Sequence, residues 1–351
     1  MRILIVKLGS IGDIVHTLPA IAAIRRALPT AHISWVAEMR SSEILRGSQT
    51  IDRLIEIDTR LLRTSGSIDE TLRELRSQVG ELRQTRYDIA LDFQGLIKSA
   101  VVAKLSGAKR RWGFAGRALK EPASRILLTD SVRIPKQTHI IKKNLMLAKS
   151  ALGVNVIGPI EFPIAITQTD MRESAAVAAR LGSRFALLNP GGGWPTKLWE
   201  AANYGRLADL VWQRFAMPSL VVTGPGESEL AEKALAASRT GKLIHAGLGL
   251  KSFFVLARQS AVYVGGDTGP THLAIAAGAP VVGIFGPTEW WRNGSINPND
   301  ICVERSEIDC RVDCHRRSCS NWICMDISVE TVFEAVASRV ASASQLNVID
   351  A

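Results

Sequence analysis

The stretch KLGSIGDIVHTLPAI, Lys7 to Ile21, follows the short apolar run RILIV and leads into a segment with apolar residues at helical spacing. This pattern predicts a β-strand that ends in a glycine-containing turn and continues into a helix. Such a turn usually holds a phosphate, because the free backbone N–H groups at a helix N-terminus attract anions. Asp13 instead places a carboxylate where that phosphate is expected.

Outward from this turn, strand and helix signals alternate in two series. Strands are predicted at Ile3–Leu8, Ile33–Ala37, Leu54–Ile57, Ile89–Phe93 and Arg111–Phe114, and then at Phe185–Leu188, Ser219–Thr223, Lys242–His245, Ala261–Gly265 and Val281–Phe285. Helices are predicted at Leu18–Leu28, Ile68–Thr85, Leu198–Arg214, Ser228–Ala237, Ser252–Arg258, Pro270–Ala277 and Val329–Ala343. Such alternation favours an α/β fold with mostly parallel sheets covered by helices on both faces.

The stretch GPIEFPIAITQT, Gly158 to Thr169, contains two prolines and lacks helical spacing, and so it predicts an interdomain linker. We therefore expect two doubly wound, Rossmann-like domains facing a cleft, at residues 1–165 and 166–351. Ligands would bind in that cleft, near the carboxyl ends of the strands. The last helix is a candidate to pack back on the first domain.

Composition narrows the class of protein. The chain has 351 residues, of which 46% are hydrophobic and 22% charged, as in a globular protein of about two domains. It has no run near the ~20 apolar residues of a transmembrane helix and no signal peptide, which predicts a cytoplasmic protein. The net charge of +10 attracts anions such as nucleic acid, anionic lipid or phosphorylated small molecules. No aromatic-interleaved basic tract occurs, so we expect no nucleic-acid partner.

All five cysteines lie late in the sequence, and the last four have the spacing C-x3-C-x4-C-x4-C. They are Cys302, Cys310, Cys314, Cys319 and Cys324. The spacing matches neither paired C-x-x-C zinc knuckles nor a secreted disulfide framework. A structural role, a metal site and a redox disulfide all stay open.

Two turns of the second half are candidates for contacts with a nucleotide. In NPGGGWPTK, Asn189 to Lys197, the glycines let the backbone approach a ligand, and Lys197 offers a mobile charge for phosphate. The alternative is a glycine-rich loop with a surface lysine. In TGPGE, Glu227 either accepts hydrogen bonds from a nucleoside or is an ordinary first-turn helix acid.

The third turn, GGDTGPTHL from Gly265 to Leu273, carries the strongest signal. Pro270 opens a helix whose free N–H groups form an anion site, and Thr268 and Thr271 add hydroxyl donors. Asp267 caps the turn or holds a ribose hydroxyl, and His272 is either a phosphate donor or a buried histidine. The chain contains no D-x-D motif, so we expect no metal there: backbone amides, Lys197 and the helix N-terminus would neutralise a diphosphate.

The opening turn admits a second reading as a dinucleotide site. It has only Gly9 and Gly12 of a G-x-G-x-x-G fingerprint, although Glu38 ends the second strand as a ribose-binding acid would. Asp13 at the helix mouth would repel a pyrophosphate, and it makes more sense as a base stabilised by the helix dipole. It is otherwise a helix N-cap.

Together these motifs resemble the bacterial heptosyltransferases of glycosyltransferase family 9, which build the lipopolysaccharide inner core. The resemblance rests on the opening loop, YDIALDFQGLIKSA, EPAS, the Lys197 loop and GGDTGPTHLAIAAGAPVVGIFGPT. DFQGLIKSA and EPAS look most like heptosyltransferase I. The resemblance implies a GT-B fold, with the acceptor on the first domain and ADP-heptose mainly on the second. It also implies an inverting enzyme with no catalytic metal and no cofactor.

The resemblance also implies roles for individual residues. Asp13 matches the family's base, and Asp13 and Lys197 would be catalytic. Lys197, Thr268 and Gly269 would stabilise the departing ADP phosphates. The donor-binding set is Gly191, Gly192, Thr196, Lys197, Glu227, Leu248, Asp267, Thr268, Gly269 and His272.

The implied acceptor is of the Kdo-lipid A type, whose carboxylates and phosphates call for basic residues. The acceptor-binding set is Ser10, Gly12, Arg60, Arg63, Lys98 and Lys120. The positive charge suits an enzyme peripheral on the cytoplasmic face of the inner membrane.

The sequence departs from heptosyltransferase I at D-T-G-P-T-H and in its cysteine-rich tail. Another nucleotide-sugar donor, an NAD(P)-dependent oxidoreductase and a sugar-nucleotide-binding protein without turnover therefore stay open.

Overall fold

The computed structural model describes residues 1–58, 68–311, 314 and 316–349. The chain divides into two compact units, Met1–Ala165 and Ile166–Ala351. Arg60 and Arg63 lie outside the described residues. In the described part of the chain, no helix combines the length and the apolar character needed to cross a membrane.

Among its described residues, the first unit has six strands and five α-helices. The strands are β1 Arg2–Val6, β2 His32–Glu38, β3 Arg53–Ile57, β4 Ile89–Asp92, β5 Arg110–Phe114 and β6 Asp130–Val132. The helices are α1 Ile11–Val15, α2 Leu18–Ala27, α3 Ile68–Arg83, α4 Ile97–Leu105 and α5 Ile140–Leu152. Short 3-10 helices occupy Met39–Leu45, Gly116–Ala118 and Pro122–Leu127.

The second unit has six strands and seven α-helices in its described part. The strands are β7 Ala186–Asn189, β8 Ser219–Thr223, β9 Leu243–Gly247, β10 Val262–Gly266, β11 Val281–Phe285 and β12 Ile301–Glu304. The helices are α6 Gln168–Ala178, α7 Ala201–Phe215, α8 Ser228–Ala237, α9 Leu250–Gln259, α10 Gly269–Ala277, α11 Trp290–Asn293 and α12 Val329–Ile349. Short 3-10 helices occupy Pro195–Lys197, Asp309–Arg311 and Ile323–Met325.

Both sheets are parallel and share one strand order. The first sheet runs β3-β2-β1-β4-β5-β6, and the second runs β9-β8-β7-β10-β11-β12. Counted from its own first strand, each therefore has the Rossmann order 3-2-1-4-5-6. The prediction of an α/β fold with two Rossmann-like, doubly wound halves is confirmed.

The central strands of each sheet carry the core. The residues from Ile3 to Val6 are fully buried, as is typical of parallel strands that are covered on both faces. In the register of β1 and β4, Val6 lies beside Asp92, and in that of β10 and β7, Gly265 lies beside Asn189. In each sheet the ends of the first and fourth strands are thus neighbours, and the loops that follow them start at the same edge.

Several element boundaries differ from the sequence expectation. The bounds of β8 and β11 are as predicted, but β6 and β12 lack predictions because both are short edge strands and are mostly half-buried. Helix α6 begins inside the predicted linker, because Thr167 and Asp170 form a reciprocal capping box. Helices α4, α5 and α11 also lack predictions. Helix α12 packs on α7 and on β10, β11 and β12 of its own unit.

Candidate active site

The candidate residues of each unit collect at the carboxyl edge of its sheet. In the first unit Asp13 follows β1 and Gln94 follows β4. In the second, Lys197 follows β7 and Asp267 follows β10. Both pairs of loops flank the point at which the strand order reverses, which is where open α/β sheets bind ligands.

A carboxylate held by two lysines forms the centre of the first cluster. Asp13 Oδ1 lies 3.3 Å from Lys7 Nζ, and Asp13 Oδ2 lies 3.5 Å from Lys120 Nζ. Gln94 Nε2 donates to Asp13 Oδ2 over 3.2 Å, and the backbone N–H of Ser10 donates to the same oxygen over 3.3 Å. Lys7 is 1% exposed, Asp13 is 22% exposed and Lys120 is 44% exposed. Solvent therefore reaches the carboxylate but not the lysine beneath it.

Electrostatics keep this carboxylate ionised. Burial alone would raise the pKa of Asp13, but the charges of Lys7 and Lys120 outweigh it and hold that pKa well below its usual range. Lys7 is fixed in turn by a hydrogen bond from its Nζ to the Phe93 carbonyl, at 2.9 Å. A negative charge is therefore built into this turn, which explains why the turn would repel the phosphate that its glycines suggest.

Two motifs that are distant in sequence meet beside Asp13. The backbone N–H groups of Lys120 and Glu121 both donate to the Gly95 carbonyl, over 3.1 and 3.2 Å. Glu121 Oε2 accepts from the backbone N–H of Ile97 over 2.7 Å. These bonds join the stretch EPAS to DFQGLIKSA and bring Lys120 to the carboxylate.

Three further acceptor candidates belong to the described part of this unit. Gly12 is buried in α1, and Ser10 is exposed just before it. Lys98 Nζ is paired with Glu38 Oε1 at 2.8 Å. Glu38, the acid that a dinucleotide site would use for ribose, is thus bound to a lysine of the same unit.

The second cluster has a more deeply buried carboxylate. Asp267 Oδ2 accepts from Lys197 Nζ at 2.5 Å and from Thr288 Oγ1 at 2.7 Å. Asp267 Oδ1 lies 3.1 Å from His272 Nε2 and accepts from Asn293 Nδ2 at 2.5 Å. Asp267 is 4% exposed and Lys197 is 14% exposed. Here the lysine is the more accessible member of the pair.

The charge of Asp267 is secured in the same way. Burial alone would raise its pKa, but the hydrogen bond and charge of His272 and the ammonium of Lys197 hold that pKa far below its usual range. Lys197 Nζ also lies 4.4 Å from the centre of the Trp194 ring, a cation–π distance. Four partners occupy the Asp267 carboxylate, which favours a role in orienting the lysine over one in binding ribose.

Glu227 ties two of the glycine turns together. Its Oε1 accepts from the Gly192 N–H over 3.0 Å and its Oε2 accepts from the Gly224 N–H over 2.8 Å. A Cβ on Gly191 would lie 2.1 Å from Glu227 Oε2, and one on Gly192 would lie 2.8 Å from Thr268 Cγ2. A side chain at either position would therefore displace Glu227 or Thr268, so glycine favours the close approach of the loops after β7, β8 and β10.

The other donor candidates differ in their surroundings. Thr268 caps α10 and Gly269 is its first residue, so both stand at the helix N-terminus. Leu248 is half-buried in the turn between β9 and α9. Thr196 is buried, and its Oγ1 donates to the Arg316 carbonyl over 2.6 Å. The Thr196 hydroxyl thus contacts the cysteine-rich loop, the segment that carries Cys310, Cys314, Cys319 and Cys324.

Sequence reasoning missed four residues that hold the two carboxylates. Lys7 lies in the opening motif KLGSIGD and Gln94 lies in DFQGLIKSA. The signal available for Lys7 was a lysine at the end of a buried strand. Thr288 ends the recognised stretch GIFGPT, whereas Asn293 carried no signal. All four act through contacts that only the fold creates.

Comparison with known proteins gives consistent matches. The family model described as glycosyltransferase family 9 (heptosyltransferase) matches residues 75–322. Lipopolysaccharide heptosyltransferase 1 of Pseudomonas aeruginosa is 27% identical over 322 residues, which cover 91% of this chain and 88% of the relative.

Two solved Escherichia coli structures share the fold. Heptosyltransferase WaaC with ADP-2-deoxy-2-fluoro heptose has a TM-score of 0.72 and 23% identity, covering 86% of this chain and 93% of that one. ADP-heptose lps heptosyltransferase II has a TM-score of 0.76 and 19% identity, covering 98% and 100%. Solved structures at these identities establish the arrangement of the elements.

Proposed function

Because this chain belongs to glycosyltransferase family 9, we propose that it moves a heptose from ADP-heptose to the Kdo or heptose inner core of lipopolysaccharide. The transfer would invert the anomeric centre and need no catalytic metal. Family membership sets aside the oxidoreductase reading of the opening turn. The observation that carries the proposal is the pair of charged clusters at the two strand-order reversals, one offering a carboxylate and the other a lysine.

The first unit would bind the acceptor and supply the base. As the acceptor hydroxyl attacks the anomeric carbon, the bond from that carbon to the ADP oxygen breaks and Asp13 takes the hydroxyl proton. A carboxylate with a lowered pKa is a weak base towards a resting alcohol, but the hydroxyl becomes acidic as its oxygen bonds to the sugar. Until it takes the proton, its negative charge also stabilises the positive charge that develops on the sugar.

The second unit would bind the donor and stabilise the leaving group. The departing ADP carries an additional negative charge, which the ammonium of Lys197 and the N-terminus of α10 would stabilise. Asp267 would keep Lys197 in place through the 2.5 Å contact. Thr268, at the N-terminus of α10, would add a hydroxyl donor to the phosphates.

Lysines near the first cluster would recognise an anionic acceptor. Lys120 is 44% exposed beside Asp13, so it can contact an acceptor carboxylate while the hydroxyl approaches the base. Lys98 would add charge at the same edge, and Arg60 and Arg63 stay proposals from the resemblance. With its net charge of +10, the protein would associate peripherally with the anionic cytoplasmic face of the inner membrane.

The test is a transfer assay with purified protein, ADP-heptose and a Kdo-lipid A acceptor. We expect ADP release that requires the acceptor, and an acceptor whose mass rises by one heptose. Calorimetric titration with ADP, UDP, GDP and NAD, with and without magnesium, checks the donor. ADP affinity that is the same with and without magnesium supports the proposal. Tighter binding of UDP or GDP than of ADP would show that the donor is a sugar linked to that nucleotide. Binding of NAD alone contradicts the proposal.

A further inference from the structure

Four of the five cysteines surround one cavity of the second unit. Cys310, Cys314, Cys319 and Cys324 line it together with Thr196 and Trp322. All five cysteines lie in the described part of the chain, and none of them forms a disulfide. Cys302 is not part of the lining; it belongs to β12, with its Sγ 3.2 Å from Glu304 Oε2.

Four thiols around one cavity match the donor set of a thiophilic metal. Four cysteine ligands in tetrahedral geometry are typical of structural zinc and of iron centres. The spacing C-x3-C fits a chelating pair at a structural metal site. Coordination would release the thiol protons as each cysteine binds as thiolate.

The surroundings of the thiols support such a site. The backbone N–H of Trp322 donates to Cys319 Sγ over 3.4 Å, and Asn321 Nδ2 donates to Cys310 Sγ over 3.9 Å. Hydrogen bonds from N–H groups stabilise a sulfur that binds a metal as thiolate.

The ligand set is not preassembled. Among the residues that the structure describes, no group of three or more His, Cys, Asp and Glu side chains stands ready to hold a metal. The thiols line a common cavity, so binding would require them to close around the ion. Coupling of metal binding to local ordering is usual for cysteine sites of this kind.

We propose that Cys310, Cys314, Cys319 and Cys324 bind a thiophilic metal, zinc or iron, and that this metal fastens the cysteine-rich loop to the loop that carries Lys197. The metal would be structural and lie outside the catalytic centre.

Two hydrogen bonds connect the cavity to the Lys197 loop. Thr196 Oγ1 donates to the Arg316 carbonyl over 2.6 Å, and Trp322 Nε1 donates to the Thr196 carbonyl over 3.1 Å. Arg317 lies 4.9 Å from the centre of the Trp194 ring, the ring that Lys197 also contacts. Ordering the cysteine loop therefore orders the residue next to the lysine that we assign to phosphate. This consequence rests on the proposed function, whereas the metal site does not.

The first test is the metal content of the full-length wild-type protein, purified without chelator and under anaerobic conditions. Elemental analysis and a sulfide assay separate zinc, mononuclear iron and an iron–sulfur cluster. We expect zinc or iron in a fixed stoichiometry to protein. Absence of bound metal, or disulfides among these four cysteines in the anaerobic protein, overturns the proposal.

Cysteine variants test the ligand assignment, with Cys302→Ser as the matched control. We expect Cys314→Ser and Cys319→Ser to reduce the bound metal about tenfold or more. Cys302→Ser should retain the wild-type stoichiometry, because its thiol does not line the cavity. Equal loss in the control overturns the assignment. The measurement on wild-type protein stays decisive even if a variant fails to fold.

ADP titration tests the link to the Lys197 loop. Metal-stripped wild-type protein should bind ADP about 5-fold more weakly or worse, and added zinc or iron should restore the affinity. Unchanged affinity after stripping overturns the link. Metal-loaded protein that binds no ADP at all would instead contradict the proposed function while leaving the metal content as evidence for the site.

Discussion

The two charged clusters use similar chemical groups in opposite arrangements. In the first unit a buried lysine, Lys7, supports a carboxylate that solvent reaches, Asp13. In the second a buried carboxylate, Asp267, supports a lysine that is more accessible, Lys197. Both stand where the Rossmann strand order reverses. Each sheet thus provides an equivalent site at its strand-order reversal. The site offers a negative charge where the lysine is the buried partner, and a positive charge where the carboxylate is the buried partner.

The largest expected effect is on catalysis at the first cluster. Asp13→Asn keeps the size of the side chain but removes the base, so we expect turnover to fall about 1000-fold. ADP affinity should stay within about tenfold of wild type, because the donor site is assigned to the second unit. Steady-state kinetics and calorimetric ADP titration measure the two quantities. Unchanged turnover would remove Asp13 as the base.

The second prediction concerns stability at the other cluster. Asp267→Asn leaves Lys197 without its buried counter-charge and His272 without its carboxylate partner, so the free energy of unfolding should fall by about 3 kcal/mol. Asp13→Asn should cost less, because Asp13 is 22% exposed against 4% for Asp267. Urea unfolding of both variants measures the difference. Equal losses would show that burial does not distinguish the two carboxylates.

The third prediction concerns the lysine that the second cluster presents. Lys197→Ala should weaken ADP binding by about 2 kcal/mol, the scale of a hydrogen bond to a charged group. The fold should persist, because Asp267 keeps its contacts with His272, Thr288 and Asn293. Calorimetric titration with ADP is the measurement, and Lys120→Ala is the control that should leave ADP affinity unchanged. Equal ADP binding by Lys197→Ala would refute the phosphate assignment.

The sequence carried most of the fold because buried parallel strands are nearly continuous apolar runs. The bounds of β8 and β11 follow directly from such runs. The short edge strands β6 and β12 lack this signal, and β6, three half-buried residues, is the extreme case. Helix α6 was predictable in principle from its capping residues Thr167 and Asp170, but the nearby prolines favoured a linker.

The sequence predicted which residues belong to the site, but not which residues they contact. The positions of Asp13 and Lys197 after strands β1 and β7 indicated that they face ligands. Gln94 reaches Asp13 across 81 positions, and Asn293 reaches Asp267 across 26, which no local pattern records. Whether the lysine or the carboxylate is the buried member of each pair depends on packing, and so the contrast between the clusters required the structure.

The fourth prediction uses pH to sharpen the comparison. Both carboxyls have a lower pKa in the folded protein than the ~3.9 of an unfolded aspartate. The unfolded chain therefore takes up protons first as the pH falls, so each carboxyl stabilises the fold above about pH 4 and loses that effect below it. Asp267→Asn should remove about 1 kcal/mol of the acid-induced loss between about pH 6 and pH 3.

Urea unfolding across that pH range measures the effect, with Asp13→Asn as the comparison. We expect a change of similar size in Asp13→Asn, because both carboxyls stay ionised in the folded protein over this range and the loss is set by proton uptake in the unfolded chain. A wild-type pH profile in Asp267→Asn would mean that this carboxyl titrates alike in the folded and unfolded chains.

The smallest expected effect separates the two lysines that contact Asp13. Lys120→Met removes a half-exposed partner, so the free energy of unfolding should change by less than about 1 kcal/mol. The KM for an anionic acceptor should nevertheless rise, because Lys120 is the lysine that solvent and acceptor can reach. Lys7→Met should lower the free energy of unfolding by more than Lys120→Met and have the smaller effect on the acceptor KM. Lys7 is 1% exposed, and its loss leaves Asp13 without its buried support. A larger stability loss for Lys120→Met than for Lys7→Met would mean that the exposed lysine, not the buried one, holds the carboxylate in place.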